Sequence, residues 1–234
     1  MSIFDILRRC WHQILPSACL WCSLPVSEHR QQLCQYCRQA LPALPYTICH
    51  YNLLWLPAVA SGLKTIRFDS LLSLTMYQDP YRHWIQQWKF YQDAAAGELL
   101  QHMFCQLLLR YQQAGAPMPQ ALVYVPMHSR RLQQRGFNQA RLLADVAGNQ
   151  LRLPVLHILK RTGHTPAQVG LSRSQRQRNL RLAFRIEGNT LPEHVALIDD
   201  VVTTGATANQ LCRLLRKQGA KTISVWTLAI TPAN

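Results

Sequence analysis

Apolar positions along the chain change their period several times, and each change predicts an element. Ser2 to Leu15 places Ile3, Ile6, Leu7, Cys10, Trp11 and Ile14 on one helical stripe, with Ser2 and Asp5 as a capping box and Pro16 just beyond its end. Tyr81 to Tyr91 predicts a helix with Trp84, Ile85 and Trp88 inward, and Gly97 to Gln113 a second with Leu100, Met103, Phe104, Leu107, Leu108 and Tyr111 inward. Two consecutive helices of this kind are expected to pack on one face of a sheet. Their aromatic residues sit at helical spacing, which favours core packing over a base-stacking platform. Short apolar runs bounded by turn residues predict buried strands at Leu71–Tyr77, Ala121–Val125, Val155–Leu159, Val195–Ile198 and Thr222–Ile230, with a further short one at Ala183–Ile186. Helical and strand patterns alternate through this part of the chain, which argues for an α/β domain with a parallel sheet. The stretch from Leu41 to Asp79, broken by Pro42, Pro45 and Pro57, is the least patterned.

One strand leads directly into chemistry. Val195 to Ile198 is followed by Asp199, Asp200, Val201, Val202, Thr203, Thr204, Gly205, Ala206 and Thr207. A buried strand cannot hold two carboxylates inside a sheet, so Asp199 and Asp200 are expected at its carboxyl end, the edge where open α/β sheets bind ligands. Gly205 permits a tight turn, and a helix is expected from about Gly205 to Gln218, with Gly219 as its terminating glycine. Thr203, Thr204 and Thr207 then place hydroxyls beside the free N–H groups of the helix start, a ready phosphate site. Carboxylates accept from hydroxyls and repel phosphates, so the acidic pair beside the cradle suits a ribose 5-phosphate. The plainer alternative is an ordinary strand, an acidic turn and a capped helix. Neither a Walker loop nor a G-x-G-x-x-G fingerprint is present to compete for the phosphate assignment.

Charge reinforces this picture. The 234 residues carry 25 Lys and Arg against 11 Asp and Glu, a formal charge of +14. Asp145 is the only acidic residue between Ala121 and Arg185, a stretch rich in arginine. A positive field so concentrated attracts polyanions, whether a pyrophosphorylated sugar or nucleic acid. The predicted strand Ala121–Val125 delivers the loop Pro126 to Arg131, whose Arg130 and Arg131 could grip a pyrophosphate bidentately, and Asn138 is placed to cap the following helix. Arg161 to Arg178 is a long polar tract with few apolar anchors. It reads either as a lid whose arginines, Arg176 among them, close over a pyrophosphate, or as a nucleic-acid-binding arm.

Six of the eight cysteines lie in the first fifty residues. Cys19-x2-Cys22 and Cys34-x2-Cys37 have the spacing of two knuckles that together close a tetrahedral, structural zinc site. An iron–sulfur cluster and four reduced core cysteines are the alternatives, and Cys49-His50 reads as packing rather than ligation. No apolar run reaches membrane-spanning length, and the stretch after Arg8 and Arg9 is broken by His12, Gln13 and Pro16, unlike a signal peptide. A reducing cytoplasm is therefore the expected compartment.

The stretch from Ile198 to Thr207 resembles the signature of type I phosphoribosyltransferases, which bind 5-phosphoribosyl 1-pyrophosphate (PRPP), at every position of that pattern. With Cys19, Cys22, Cys34 and Cys37, Lys89-Phe90, Val125 to His128, Arg135 to Gln139, Arg161, Thr165, Gln168, Arg176, Asn179, Ala183 and Phe184, nearly the whole chain resembles the ComF family of phosphoribosyltransferase-like proteins. It departs from that family at Asp79 and Gln92, near places often filled by glycine. The resemblance implies a type I phosphoribosyltransferase-like parallel sheet over residues 51–234 behind a small four-cysteine zinc-binding domain over residues 1–50. It implies that Asp199 and Asp200 take the ribose hydroxyls and act in catalysis, that Thr203, Thr204, Gly205, Ala206 and Thr207 hold the 5-phosphate, and that Mg2+ accompanies PRPP. It also implies a role in DNA uptake or in using DNA as a nutrient. Two functions follow: a phosphoribosyl transferase of unknown acceptor, or a non-catalytic adaptor that senses PRPP or a nucleotide while handling nucleic acid or DNA-processing proteins. An amidotransferase half is not expected, because the sequence opens Met1-Ser2 without an amino-terminal nucleophilic cysteine.

Overall fold

The computed structural model describes residues 16–26, 31–63, 65–162, 183–188 and 190–231. The predicted helix over Ser2 to Leu15 lies outside them, as does most of the polar tract with Arg176. The chain divides into two compact units, one of residues 1–43 and 78–100, the other of residues 44–77 and 101–234.

The larger unit is built on five parallel strands in the order β1 (Ser70–Met76), β7 (Thr222–Ile230), β6 (His194–Val202), β2 (Ala121–Tyr124) and β3 (Val155–Leu156). The expected α/β parallel sheet is thus present, and its longest, most apolar strands, β6 and β7, are flanked on both sides. Alternate residues face opposite ways. Val195, Leu197, Ile223 and Val225 meet Ala208, Leu211, Cys212 and Leu215 of the helix Ala206–Lys217 in one core. On the next register Trp226 meets the ring of Tyr111 edge-on at 5.6 Å, the latter near the end of the helix Ala94–Gln113. The helix Gln139–Leu151 packs on β6, β2 and β3. It returns to β3 so tightly that a Cβ on Gly148 would lie 2.6 Å from Val155 and 2.9 Å from the Leu153 carbonyl oxygen.

Three expectations need correction. Val155–Leu159 is not one strand: β3 stops at Leu156, and Leu159–Arg161 (β4) turns away to pair antiparallel with Phe184–Ile186 (β5) in a separate two-stranded sheet. Arg130 and Arg131 lie not in a loop but in the first turn of a short helix, Ser129–Arg135, capped by His128, whose Nδ1 accepts from the Arg130 N–H at 3.1 Å. The third concerns the helix Tyr81–Tyr91, found at its predicted bounds in the smaller unit. Its buried Trp84 meets Trp21 edge-on at 6.4 Å and donates from Nε1 to the Leu20 carbonyl at 3.1 Å, so its inward face packs on the cysteine-bearing segment rather than on a sheet. Gln92 ends this helix in the left-handed conformation, φ 57°, the geometry that favours glycine at such a place.

Candidate functional site

β6 runs to Val202, four residues beyond Ile198, because β7 continues to pair with it through Asp199, Val201 and Val202. On its other side the pairing with β2 stops at Tyr124 opposite Ile198. Asp199 and Asp200 therefore sit inside the last turns of a strand yet stand past the end of one neighbour, half-buried, at the carboxyl edge of the sheet. Their backbone is braced. The Asp200 N–H donates to an Asp199 carboxylate oxygen at 2.9 Å, and the Thr227 hydroxyl of β7 donates to the Asp200 carbonyl at 2.9 Å.

Beyond Val202 the chain turns at Gly205, whose φ of 72° caps the helix Ala206–Lys217. The first N–H of that helix to pair is that of Asn209, with the Gly205 carbonyl at 2.8 Å, so the N–H groups of Ala206, Thr207 and Ala208 have no intrahelical partner. Asp199, the residues Val201 to Thr207 and Ala208 line a concavity of about 60 Å3. That is well below the ~300–1,000 Å3 of ordinary ligand pockets, so the hollow suits a small group rather than a nucleotide. Unpaired N–H groups, threonine hydroxyls and the positive end of the helix dipole can hold an anion there.

Positive side chains gather on the β2 side. Half-buried Arg135 donates from Nη1 to the side-chain Oε1 of Gln139 at 2.8 Å. Burial holds its guanidinium below the usual value, the Asp200 carboxylate pulls it back up, and Arg131 pushes it down again. Burial and the same Arg131 likewise depress Arg161, which lies 5.4 Å over the Phe184 ring. Arg131 thus acts on both Arg135 and Arg161, and Asp200 on Arg135, while Arg130 and Arg131 are themselves exposed in the first helical turn. Asn138 holds this region in shape: its Oδ1 accepts from the Ala140 N–H and its Nδ2 donates to the Val125 carbonyl, both at 3.0 Å.

The sequence leaves Arg135 equally open to a plain reading as a solvated helix-start arginine, and its pattern does not mark Gln139 as buried. Nor does it mark Asn209, whose Oδ1 accepts from the Arg67 N–H at 2.8 Å behind the Gly205 turn. A polar residue at an apolar helical position was the only available signal for either.

In the smaller unit Cys19, Cys22, Cys34 and Cys37 bring their sulfurs within 4.8 Å of one another, with Cys22 exposed and the others buried. Cys22 and Cys34 sulfurs are 3.7 Å apart, and the N–H groups of Cys34 and Cys37 point at the Cys19 and Cys34 sulfurs at 3.4 and 3.5 Å. A tetrahedral ion with ~2.3 Å bonds to sulfur requires neighbouring sulfurs about 3.8 Å apart, so these four thiols fit a metal ion. Desolvation raises Cys19, but N–H donors from Cys22, Cys34 and Trp21 outweigh it and bring the thiol down to about 6. Desolvation and the three other thiols push Cys37 well up, the repulsion a cation would relieve. Cys49 is buried elsewhere, donating to the Tyr46 carbonyl at 3.8 Å, and His50 meets Trp55 edge-on, so both pack as expected. Among the described residues no helix is long and apolar enough to cross a membrane.

The architecture is that of a parallel α/β protein with an acidic-threonine loop at a helix start, joined in one chain to a four-thiol cluster. Its relatives place it further. The DNA utilization protein YhgH of Salmonella typhi is 31% identical over 223 residues, covering 93% of this chain and 98% of that protein. Competence protein F of Haemophilus influenzae is 32% identical over 222 residues, covering 90% and 96%. The chain belongs to this family, that of the ComF proteins. Competence protein ComFC of Streptococcus pneumoniae is 35% identical over 106 residues, 45% of this chain and 46% of that one. No family model matches the chain. Among solved structures, a purine phosphoribosyltransferase from Pyrococcus horikoshii Ot3 aligns with 57% of this chain and 72% of its own at 19% identity and a TM-score of 0.35. A hypoxanthine phosphoribosyltransferase from Staphylococcus aureus aligns at 14% identity and 0.35, covering 57% and 64%.

Proposed function

We propose that the chain binds PRPP together with Mg2+ and serves the handling of DNA, the role in the names of its relatives. In this reading Asp199 and Asp200 accept from the ribose hydroxyls, the loop Thr203 to Thr207 holds the 5-phosphate, and Arg130 and Arg131 contribute to the pyrophosphate end. Arg176, assigned with them, lies outside the described residues. We add Arg135, held by Gln139 in the field of Asp200. Mg2+ would neutralise pyrophosphate charge, and carboxylates are the hard oxygen donors it prefers.

One observation carries the reading: two carboxylates stand on the central strand past the end of β2, and one of them, Asp199, lines a small concavity at a helix amino terminus. If the chain is an enzyme, the bond from ribose C1 to the pyrophosphate oxygen breaks with its electron pair leaving on pyrophosphate, and an acceptor lone pair forms the new bond at C1. Asp199 and Asp200 would stabilise the cationic ribose between these events, and the arginines the charge of the leaving group. The second reading is a binding module that senses PRPP without turning it over, which the family names of DNA utilization and competence equally fit.

Calorimetry of the full chain with PRPP and Mg2+, alongside pyrophosphate release across nucleobases and amines, tests both. Saturable binding is expected, lost in Gly205→Val. Absence of PRPP binding by the intact protein refutes the ligand. Binding without release for every acceptor leaves the sensor, and Asp200→Asn then alters affinity alone.

A further inference from the structure

The opposite edge of the sheet holds a second concentration of positive charge. Near the amino ends of β1 and β7, Ile66, Arg67, Phe68 and Asp69 face Arg213, Arg216 and Lys217 of the last helical turns across an open cleft of about 520 Å3. That volume is ligand-sized, within the ~300–1,000 Å3 of ordinary binding pockets. Four cations and one carboxylate line it, and the carboxylate is already engaged. Asp69 accepts from Nη2 of Arg216 with both oxygens, at 2.9 and 2.8 Å, and from the Ile223 N–H at 2.7 Å. Arg216 is further fixed by giving Nη1 to the Lys221 carbonyl at 2.7 Å. Among the described residues, no carboxylate pairs with the charges of Arg67, Arg213 and Lys217.

Arg213 is the decisive member. Its Nε is buried and meets no acceptor among the described residues. Cations at a helix carboxyl end are favoured by the helix dipole, but that effect operates on solvated charges and gives no reason to bury a donor in the wall of a cleft. A buried N–H without an acceptor is unfavourable, and a turn of the Arg213 side chain toward an anion seated among the three uncompensated cations relieves it. We propose that this cleft is a second anion site, separate from the loop after β6, and that it takes a phosphate group through Arg67, Arg213 and Lys217. It does not depend on the PRPP reading, since no residue is shared between the two.

The test follows the Arg213 Nε–H resonance in the full-length protein, assigned by its loss in Arg213→Lys. Titration with inorganic phosphate should shift it saturably, and chloride at equal ionic strength should not. Arg67→Gln with Lys217→Gln keeps the reporter and should raise the phosphate concentration for half-shift about tenfold or more, the loss of charge-assisted contacts. A nucleoside 5′-monophosphate and a single-stranded oligonucleotide without terminal phosphates separate the two sources of the group. The one that moves the resonance at the lower concentration identifies a free phosphomonoester or a phosphodiester backbone as the occupant. No shift with phosphate, a shift reproduced by chloride, or an unchanged midpoint in the double variant overturns the proposal.

Discussion

At the scale of single residues, Gly205 and His194 make opposite kinds of demand. Gly205 is required by its backbone: at φ 72° a β-branched side chain is strained, and a Cβ would lie 3.2 Å from Leu63 and 3.5 Å from the Asn209 amide nitrogen. Gly205→Val should therefore cost about 1–3 kcal/mol of stability from conformation alone and close the phosphate concavity. Thr207→Ala removes a hydroxyl but keeps the turn, so it should weaken PRPP by only about 1–3 kcal/mol. Calorimetry and urea unfolding on both variants check the order; a Thr207→Ala more damaging than Gly205→Val contradicts it. His194 is constrained by protonation instead. Its Nε2 lies 2.9 Å from the Ser224 hydroxyl, and desolvation holds its imidazole below the ordinary value, partly offset by Met118 and Asp69. An unfolded histidine titrates near ~6.5, so the unfolded chain binds the extra proton first. The stabilising effect of neutral His194 is complete above that pH and declines as pH falls from it toward the lower folded value. His194→Gln should flatten the fall in melting temperature between about pH 7 and 5 relative to the wild type, and parallel pH profiles would contradict this.

At the scale of elements, the clearest joint is the turn between β2 and the helix Gln139–Leu151. Asn138 caps that helix and ties the preceding loop to Val125, so Asn138→Ala removes a cap and leaves a carbonyl short of its donor. A loss of about 1–2 kcal/mol in urea unfolding is expected, and Asn138→Asp should restore the cap but not the tie to Val125. Whether an element was legible in sequence depended on how local its cause is. β6, β7 and the helices Tyr81–Tyr91 and Ala206–Lys217 announce themselves because burial on one or both sides writes its period directly into the residues. The split of β3 from β4 does not, since three residues of β4 are fixed by a partner more than twenty positions away. The helix Ser129–Arg135 has no buried residue and hence no apolar stripe to betray it. The same division runs through the candidate site. The contiguous run from Asp199 to Thr207 and the two C-x2-C knuckles could be read as strings, whereas Arg135 in the field of Asp200 and Asn209 beneath Arg67 exist only once distant segments meet.

At the scale of the whole molecule, the chain combines a sheet that stands on apolar burial with a smaller unit that adds a cluster of thiols to its apolar side chains. Among the described residues of that unit Val26, Leu33, Tyr81, Trp84, Ile85 and Trp88 are buried, and four thiols lie within 4.8 Å of one another. Three of those thiols are buried, and the convergence of all four sulfurs is the geometry a tetrahedral metal ion requires. We therefore expect about one zinc per chain in protein purified without chelator, coordinated by Cys19, Cys22, Cys34 and Cys37. Because the ligands converge only when the segment is folded, metal affinity is folding energy for this unit. Chelation, or Cys22→Ser at the exposed ligand, should release the metal and change the fluorescence of Trp21 and Trp84, which lie 6.4 Å apart beside the knuckles. The far-ultraviolet signal of the parallel sheet and the binding of PRPP should persist, since β1, β2, β3, β6 and β7 and the loop after β6 draw on none of these cysteines. Metal analysis that finds none, or finds iron with acid-labile sulfide, removes the zinc assignment. Loss of the sheet signal on chelation would show instead that the four thiols stabilise the larger unit as well.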